Sequence, residues 1–157
     1  MQIHISKQDT ITLTPVKENE RLHHVNKPSK GLWTSTACRP HGEWTSDWWE
    51  FIKTNHLVRR AKYVHMFTIV GSPRILSVNR VSEIDDVYAK WGHDGLRSTW
   101  RETDMLDWVQ IAHHFDAFYI SKAVAQTTQF RTWDCESFVW FDPTYLKKQF
   151  TWKISKK

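Results

Sequence analysis

The segment YVHMFTIVGSPRILSVNRVSEIDDVYAKW (residues 63–91) carries two strand signals followed by a helix signal. Residues 63–70 form an apolar, β-prone run, the cluster Gly71-Ser72-Pro73 turns the chain, and 74–78 follow as a second strand. From Ser82 the apolar spacing changes to i, i+3, i+4 and i+7, which predicts a helix packed through one face. Strands and helix in this order favour a domain that mixes sheets and helices.

Both patterns continue on either side of this segment. A helix that begins at Ser46 or Asp47 is predicted from the apolar spacing after it, and another is predicted from about Thr103 or Asp104. The N-terminal alternation of Ile3 and Ile5, then Ile11 and Leu13, predicts a hairpin or two edge strands. Further extended segments are predicted at 22–25, 32–36, 117–121, 138–141 and 150–154, with Pro143 ending the one at 138–141.

The bulk composition fits one small α+β domain over residues 1–157. The chain has no linker, repeat or low-complexity tract, and 40% of its residues are hydrophobic. No segment approaches the ~18 apolar residues of a membrane span, and the N-terminus lacks the apolar core of a signal peptide. We therefore expect a cytoplasmic protein without a membrane partner. The net charge of +5 favours an acidic partner such as nucleic acid.

Several chemistries lack their usual motifs. The five glycines match neither dinucleotide-binding nor P-loop patterns. The nine histidines form no metal-binding spacing, so no metal cofactor is expected. Cys38 and Cys135 are predicted to be reduced, buried thiols. A cysteine hydrolase is disfavoured because the acids that flank Cys135 would raise its pKa.

Three short elements place polar side chains inside β-prone runs: LHHVN (residues 22–26), WTST (33–36) and WDCES (133–137). Asp134 and Glu136 are two residues apart, so on a strand their carboxylates would share one face. Such a pair is unfavourable unless one acid is protonated or both hold a cationic or hydroxyl-bearing ligand. The alternative is that Asp134 lies in a turn and Glu136 is satisfied by Arg131 or Lys122.

In this order the three elements resemble the ADP-ribosyltransferase superfamily. That family has an Arg or His on its first core strand, an aromatic or Ser-Thr-Ser element on the second, and an [E/Q/D]-x-E element on a late strand. His24, Trp33-Thr34-Ser35-Thr36 and Asp134-x-Glu136 are similar to these, with Thr-Ser-Thr and Asp as departures. The resemblance implies two packed, mainly antiparallel sheets with a few flanking helices.

The resemblance also implies an activity. NAD would be the substrate, and Glu136 would stabilise the ribosyl oxocarbenium ion while Asp134 orients or deprotonates the acceptor. His24, or His23 in the other strand register, would contact NAD, with Ser35 steadying Glu136. The cofactor-binding residues expected from it are His24, Trp33, Thr34, Ser35, Thr36 and Trp133.

Two hypotheses without catalysis stay open. The chain is basic and holds 10 Trp and 8 Phe, so it could stack unpaired bases, with Arg59, Arg60 and Lys62 beside Tyr63 as the place for phosphates. Alternatively, it could inhibit a host enzyme by shape alone. The acceptor of the transferase, whether nucleic acid, protein or small molecule, is not specified by the sequence.

Overall fold

The computed structural model describes residues 1–16, 26–97, 104–130 and 132–154. Nine strands and four α-helices lie in these ranges. The strands are β1 (Gln2–Ser6), β2 (Leu32–Thr36), β3 (Tyr63–Ile69), β4 (Ile75–Val78), β5 (Gly92–Arg97), β6 (Asp104–Leu106), β7 (Ala117–Ile120), β8 (Ser137–Trp140) and β9 (Leu146–Lys153). The helices are α1 (Asp47–Thr54), α2 (Ile84–Trp91), α3 (Trp108–His114) and α4 (Lys122–Ala125).

Seven strands form one mixed sheet in the order β4-β7-β8-β2-β1-β3-β9, and β5 pairs with β6 in a second, two-stranded sheet. All pairs are antiparallel except β4 with β7. The prediction of a single α+β domain with mainly antiparallel sheets and flanking helices is confirmed. The N-terminal strand lies inside the large sheet, between β2 and β3.

Most predicted strands are present, but their neighbours differ from the sequence order. β3 and β4 follow each other in the chain and lie far apart in the sheet, because β4 pairs with β7. The predicted N-terminal hairpin is wrong, since residues 7–16 form no strand. Ile11 and Leu13 from this segment instead pack against a buried cluster on the sheet. Residues 22–25 lie outside the described residues.

Three of the four helices, α1, α3 and α4, begin where a short polar side chain accepts hydrogen bonds from the first turn. Ser46 accepts from the Trp49 backbone N–H, which confirms the predicted start of α1. Asp107 accepts from the N–H groups of Val109 and Gln110, so α3 begins later than predicted. The start expected near Thr103 or Asp104 is wrong because residues 104–106 pair in β6 instead.

The two faces of the large sheet bury different clusters. On one face, α2, α3 and α4 pack their apolar side chains against Phe118, Ile120 and Val139, and Leu106 of β6 joins them. On the other face, Ile11 and Leu13 cover Phe138 and Trp140. A third cluster lies under β1 and β3, around Ile3, Val64 and Met66. The sheet is therefore covered on both faces near its centre, and polar groups there need partners within the protein.

Candidate functional site

A buried carboxylate lies where β2 ends and β8 begins. Glu136 is 7% exposed. Ser35 donates from Oγ to Glu136 Oε2 over 2.6 Å, and the Thr36 backbone N–H donates to the same oxygen over 3.0 Å. Thr36 Oγ1 donates to Oε1 over 2.7 Å. A carboxylate has about four acceptor positions, so three donors fix its orientation and leave room for one more.

The strand register brings these residues together. β2 and β8 are antiparallel, with Thr34 opposite Phe138. Continuing this register by two residues places Thr36 opposite Glu136, directly before β8. The Ser35–Glu136 contact agrees with the role that the resemblance implies for Ser35, and Thr36 joins it. Neither Arg131 nor Lys122 is needed to satisfy Glu136, because hydroxyl and backbone donors do so.

β1 pairs with β2 at this site, and the two strands separate just beyond it. β1 pairs with β3 along all five of its residues but with β2 only at Gln2↔Thr36 and Ile3↔Ser35. His4 lies at the point of separation, and its Nδ1 is 2.6 Å from the Trp33 carbonyl oxygen. Because a carbonyl only accepts, Nδ1 carries the proton and Nε2 remains an acceptor. Burial lowers the pKa of His4 to about 4, so the ring is neutral near pH 7.

The two carboxylates of the WDCES element do not share a strand face. Asp134 precedes β8 in a left-handed conformation with φ of 67°. This conformation turns the chain, so the period-two argument for a shared face is wrong and the turn alternative is correct. The Asp134 side chain is 40% exposed, and its Oδ2 lies 3.8 Å from Lys27 Nζ.

Lys27 connects Asp134 with Trp33. Its Nζ lies 5.4 Å from the centre of the Trp33 ring, within cation–π distance. Burial lowers the pKa of Lys27, while the charge of Asp134 acts in the opposite direction. No local sequence pattern predicts this contact, because Lys27 and Asp134 are more than 100 residues apart.

An open, mostly apolar groove adjoins Asp134. It has a volume of about 380 Å³ and lies between β1 and the region of α1. Lys7 and Asp134 are the charged residues among those that line it. The apolar lining residues are Ile5, Trp48, Phe51, Ile52, Leu57 and Ala61. The Trp48 backbone N–H also lies 3.4 Å from Ser35 Oγ, which joins this groove to the hydrogen-bond network of Glu136.

Two predicted ligand contacts are enclosed in the core. Trp133 has no exposed surface, and its Nε1 donates to the Asn26 carbonyl oxygen over 2.7 Å. Thr34 donates to Gln2 Oε1 and accepts from Trp140 Nε1. These rings and hydroxyls therefore stabilise the sheet in this structure, and we leave them out of the candidate site. Trp33 is half-buried and packs on Trp133, with ring centres 4.6 Å apart.

The predicted His24 lies outside the described residues, as does His23. The histidine that the structure places on the first strand is His4, which the sequence analysis did not select. Its signal was present, since a histidine between Ile3 and Ile5 is a polar residue in a β-prone alternation. It was missed because short N-terminal strands are usually edge strands, whereas β1 lies inside the sheet.

The cysteines do not form a nucleophilic site. Both are free thiols, with Cys135 buried and Cys38 exposed, so the prediction of burial is wrong for Cys38. Burial raises the pKa of Cys135 to about 12, and the neighbouring carboxylates act in the same direction. The expected direction is confirmed, although burial is the larger cause. A thiol with this pKa is protonated and a poor nucleophile near pH 7.

Within the described part of the chain, no group of three or more His, Cys, Asp or Glu side chains is placed to hold a metal ion. No helix among these residues is long and apolar enough to cross a membrane. No protein-family model matches the chain, and no curated protein or solved structure is significantly similar to it.

Proposed function

We propose that this protein transfers ADP-ribose from NAD to an acceptor, or to water as an NAD glycohydrolase. The observation that carries the proposal is the Glu136 carboxylate, which Ser35 and Thr36 hold through three hydrogen bonds at the residues where β2 pairs with β1. The order of these elements is also that of the family that the sequence resembles. In this proposal, His4 on β1 has the NAD-contacting role that the resemblance implies for His24.

The reaction needs a fixed negative charge. When the bond between nicotinamide nitrogen and ribose C1′ breaks, nicotinamide leaves with the bonding electron pair and positive charge develops on the ribose. A carboxylate that is already oriented stabilises this charge without reorganising. The fourth acceptor position of Glu136 can also take a ribose hydroxyl hydrogen bond.

The other groups have supporting roles in this proposal. The unprotonated Nε2 of His4 accepts a hydrogen bond from a ribose hydroxyl or the nicotinamide amide. Half-buried Trp33 and the apolar groove offer flat surfaces to an aromatic ring of the substrate. The acceptor hydroxyl, amine or water attacks C1′ and loses its proton to Asp134, whose side chain is exposed at the groove.

The direct test is release of nicotinamide from NAD by the purified full chain. We expect release by the wild type, and loss of at least 100-fold in Glu136→Gln, a variant close in shape to the native side chain. Glu50→Gln changes an exposed carboxylate on α1 and serves as the matched control. NAD should also raise the Tm of the wild type and of Glu50→Gln. If millimolar NAD neither raises the Tm nor yields nicotinamide or labelled acceptor, the proposal is wrong.

A further inference from the structure

The outer edge of the large sheet carries a row of basic and aromatic side chains. We call it the β9 strip and define it by Lys147, Lys148, Phe150, Trp152 and Lys153. β9 pairs only with β3 among the described strands, so its other edge faces away from the sheet. All three lysines are exposed. None of them lies within salt-bridge distance of a carboxylate among the described residues.

The excess positive charge of the chain is located in this region. The last twelve residues carry five of the 22 Lys and Arg side chains and none of the 17 Asp and Glu side chains. The first 145 residues are therefore balanced, with 17 of each sign. Three of the five lysines belong to the β9 strip, and Lys156 and Lys157 lie beyond the described residues. The net charge of +5 is thus a local property rather than a general one.

An exposed aromatic ring lies between these lysines along the strand. By the register with β3 it shares a sheet face with Trp152 and Lys147, whereas Lys148 and Lys153 project from the opposite face. Phe150 is 43% exposed, and it is the only Phe, Tyr or Trp side chain of the described residues in the exposed class. Its ring centre is 5.5 Å from that of half-buried Trp152, with 32° between the planes. Trp152 packs against the cluster under β1 and β3 and so supports the pair from below.

Edge protection does not account for this composition. Lysines on an edge strand hinder pairing with a second sheet. An exposed Phe in the middle of the same strand works against that effect, because it adds apolar surface for an incoming strand. An exposed ring on a free strand edge that carries ammonium groups on both of its faces instead suits single-stranded nucleic acid, where bases stack and phosphates pair with lysines.

The β9 strip lies beside the basic residues at the start of β3. Lys153 pairs with Tyr63 at the start of β3, next to exposed Lys62. The nucleic-acid hypothesis from the sequence places its phosphate contacts at Arg59, Arg60 and Lys62, beside Tyr63. Thr36 pairs with Gln2, Gln2 with Phe67, and Phe67 with Lys148, so Lys148 lies in the same cross-strand row as the candidate site. Four strand spacings separate it from β8, or about 19 Å.

We propose that the β9 strip is a binding surface for single-stranded nucleic acid. A base stacks on Phe150 while Lys147 contacts a phosphate on the same face. Lys148 and Lys153 reach the neighbouring phosphates from the opposite face, across the unpaired edge of β9. This surface is separate from the Glu136 site and does not depend on the proposed transferase activity.

The test measures fluorescence anisotropy of a labelled 12-nucleotide oligothymidine with the full chain in the absence of NAD. We expect binding whose log K falls with log [salt] at a slope of about −2, as three phosphate contacts on a single strand require. Phe150→Ala should weaken binding by about 5- to 150-fold, and Phe150→Trp should retain it. The triple Lys→Gln variant at 147, 148 and 153 should flatten the salt dependence.

Two matched controls address other surfaces and other partners. Val81→Ala removes an exposed apolar side chain and Lys90→Gln an exposed lysine, both distant in the fold from β9, and neither should change binding. Equal affinity for a duplex of the same length, or for polyglutamate, would overturn the proposal in favour of general anion binding. Binding only to anionic vesicles, or no effect of Phe150→Ala, would also overturn it. Because NAD is absent, each result is independent of the transferase test.

Discussion

Ser35 Oγ lies 2.6 Å from Glu136 Oε2, and this hydrogen bond joins two residues that are 101 positions apart in the chain. Both side chains are buried, so the hydroxyl and carboxylate satisfy each other where water is largely absent. The bond closes the end of the β2–β8 pair. It also sets the orientation of the carboxylate on which the proposed activity depends.

Removal of the Ser35 hydroxyl should therefore destabilise the protein. We expect Ser35→Ala to lower the free energy of unfolding by about 1.5–3 kcal/mol, because a buried charged acceptor loses a donor. Urea unfolding measures this change. Ser77→Ala, at an exposed serine of β4, is the control and should stay within about 0.5 kcal/mol of wild type. Equal stabilities for the two variants would contradict the role assigned to this bond.

Acid should destabilise the protein through His4. Its pKa is about 4 in the folded chain and 6.5 when unfolded, so the unfolded chain binds more protons between these values. The contribution of His4 to the free energy of unfolding is therefore fully present above pH 6.5. It is lost as the pH drops towards 4, by an amount on the order of 3 kcal/mol. Burial also lowers the pKa of His65, which adds in the same direction.

Urea unfolding of wild type and His4→Asn across pH 4–8 isolates this contribution. Asn keeps an N–H donor for the Trp33 carbonyl but does not titrate. We expect a shallower loss of stability in His4→Asn between pH 6.5 and 4, whereas His113→Asn, at an exposed position on α3, should follow the wild type. If the free energy of unfolding falls equally with pH in wild type and His4→Asn, His4 is not the source of the acid sensitivity.

The chain enters β2 through a glycine that tolerates no side chain. Gly31 has φ of +137°, and a Cβ there would lie 2.5 Å from Val139 Cγ2 and 3.1 Å from the Trp140 carbonyl oxygen. Gly31→Ala should lower the free energy of unfolding by about 2–4 kcal/mol through strain and overpacking. Gly42→Ala also has positive φ but open space around the Cβ, and should cost only about 1–2 kcal/mol. The two variants should therefore differ in urea midpoint, and coincident midpoints would contradict this account.

The two thiols should differ sharply in reactivity. Cys38 is exposed, whereas Cys135 is buried and its pKa is raised to about 12. A thiol reagent at pH 7.5 should label one cysteine per native chain and both in urea. Cys38→Ser should remove the native signal and Cys135→Ser should leave it unchanged. Rapid labelling of Cys135 in the native protein would contradict its placement in the core.

Local patterns gave many of the elements and part of the candidate site. The apolar, β-prone run at 63–70 and the helical spacing of Ile84, Val87 and Trp91 predicted β3 and α2. The run reflects a strand buried on both faces, and the spacing reflects a helix buried on one. The contact of Ser35 with Glu136 agrees with what the resemblance implies, whereas Thr34 bonds to Gln2 and Trp140 instead. Asp134 was misplaced because its left-handed turn breaks the period-two rule, and no single-residue pattern signals such a turn at Asp.

By itself, the sequence determined that the chain is a mixed α+β domain and that its surplus charge lies in the last twelve residues. The register of β2 with β8 brought Ser35 and Thr36 to Glu136. Only the tertiary structure placed β1 inside the sheet, so that His4 lies at the separation from β2. It also put Trp133 in the core and Phe150 on an exposed edge. These outcomes depend on which strands become neighbours, and that is decided by packing between residues far apart in the chain rather than by local spacing.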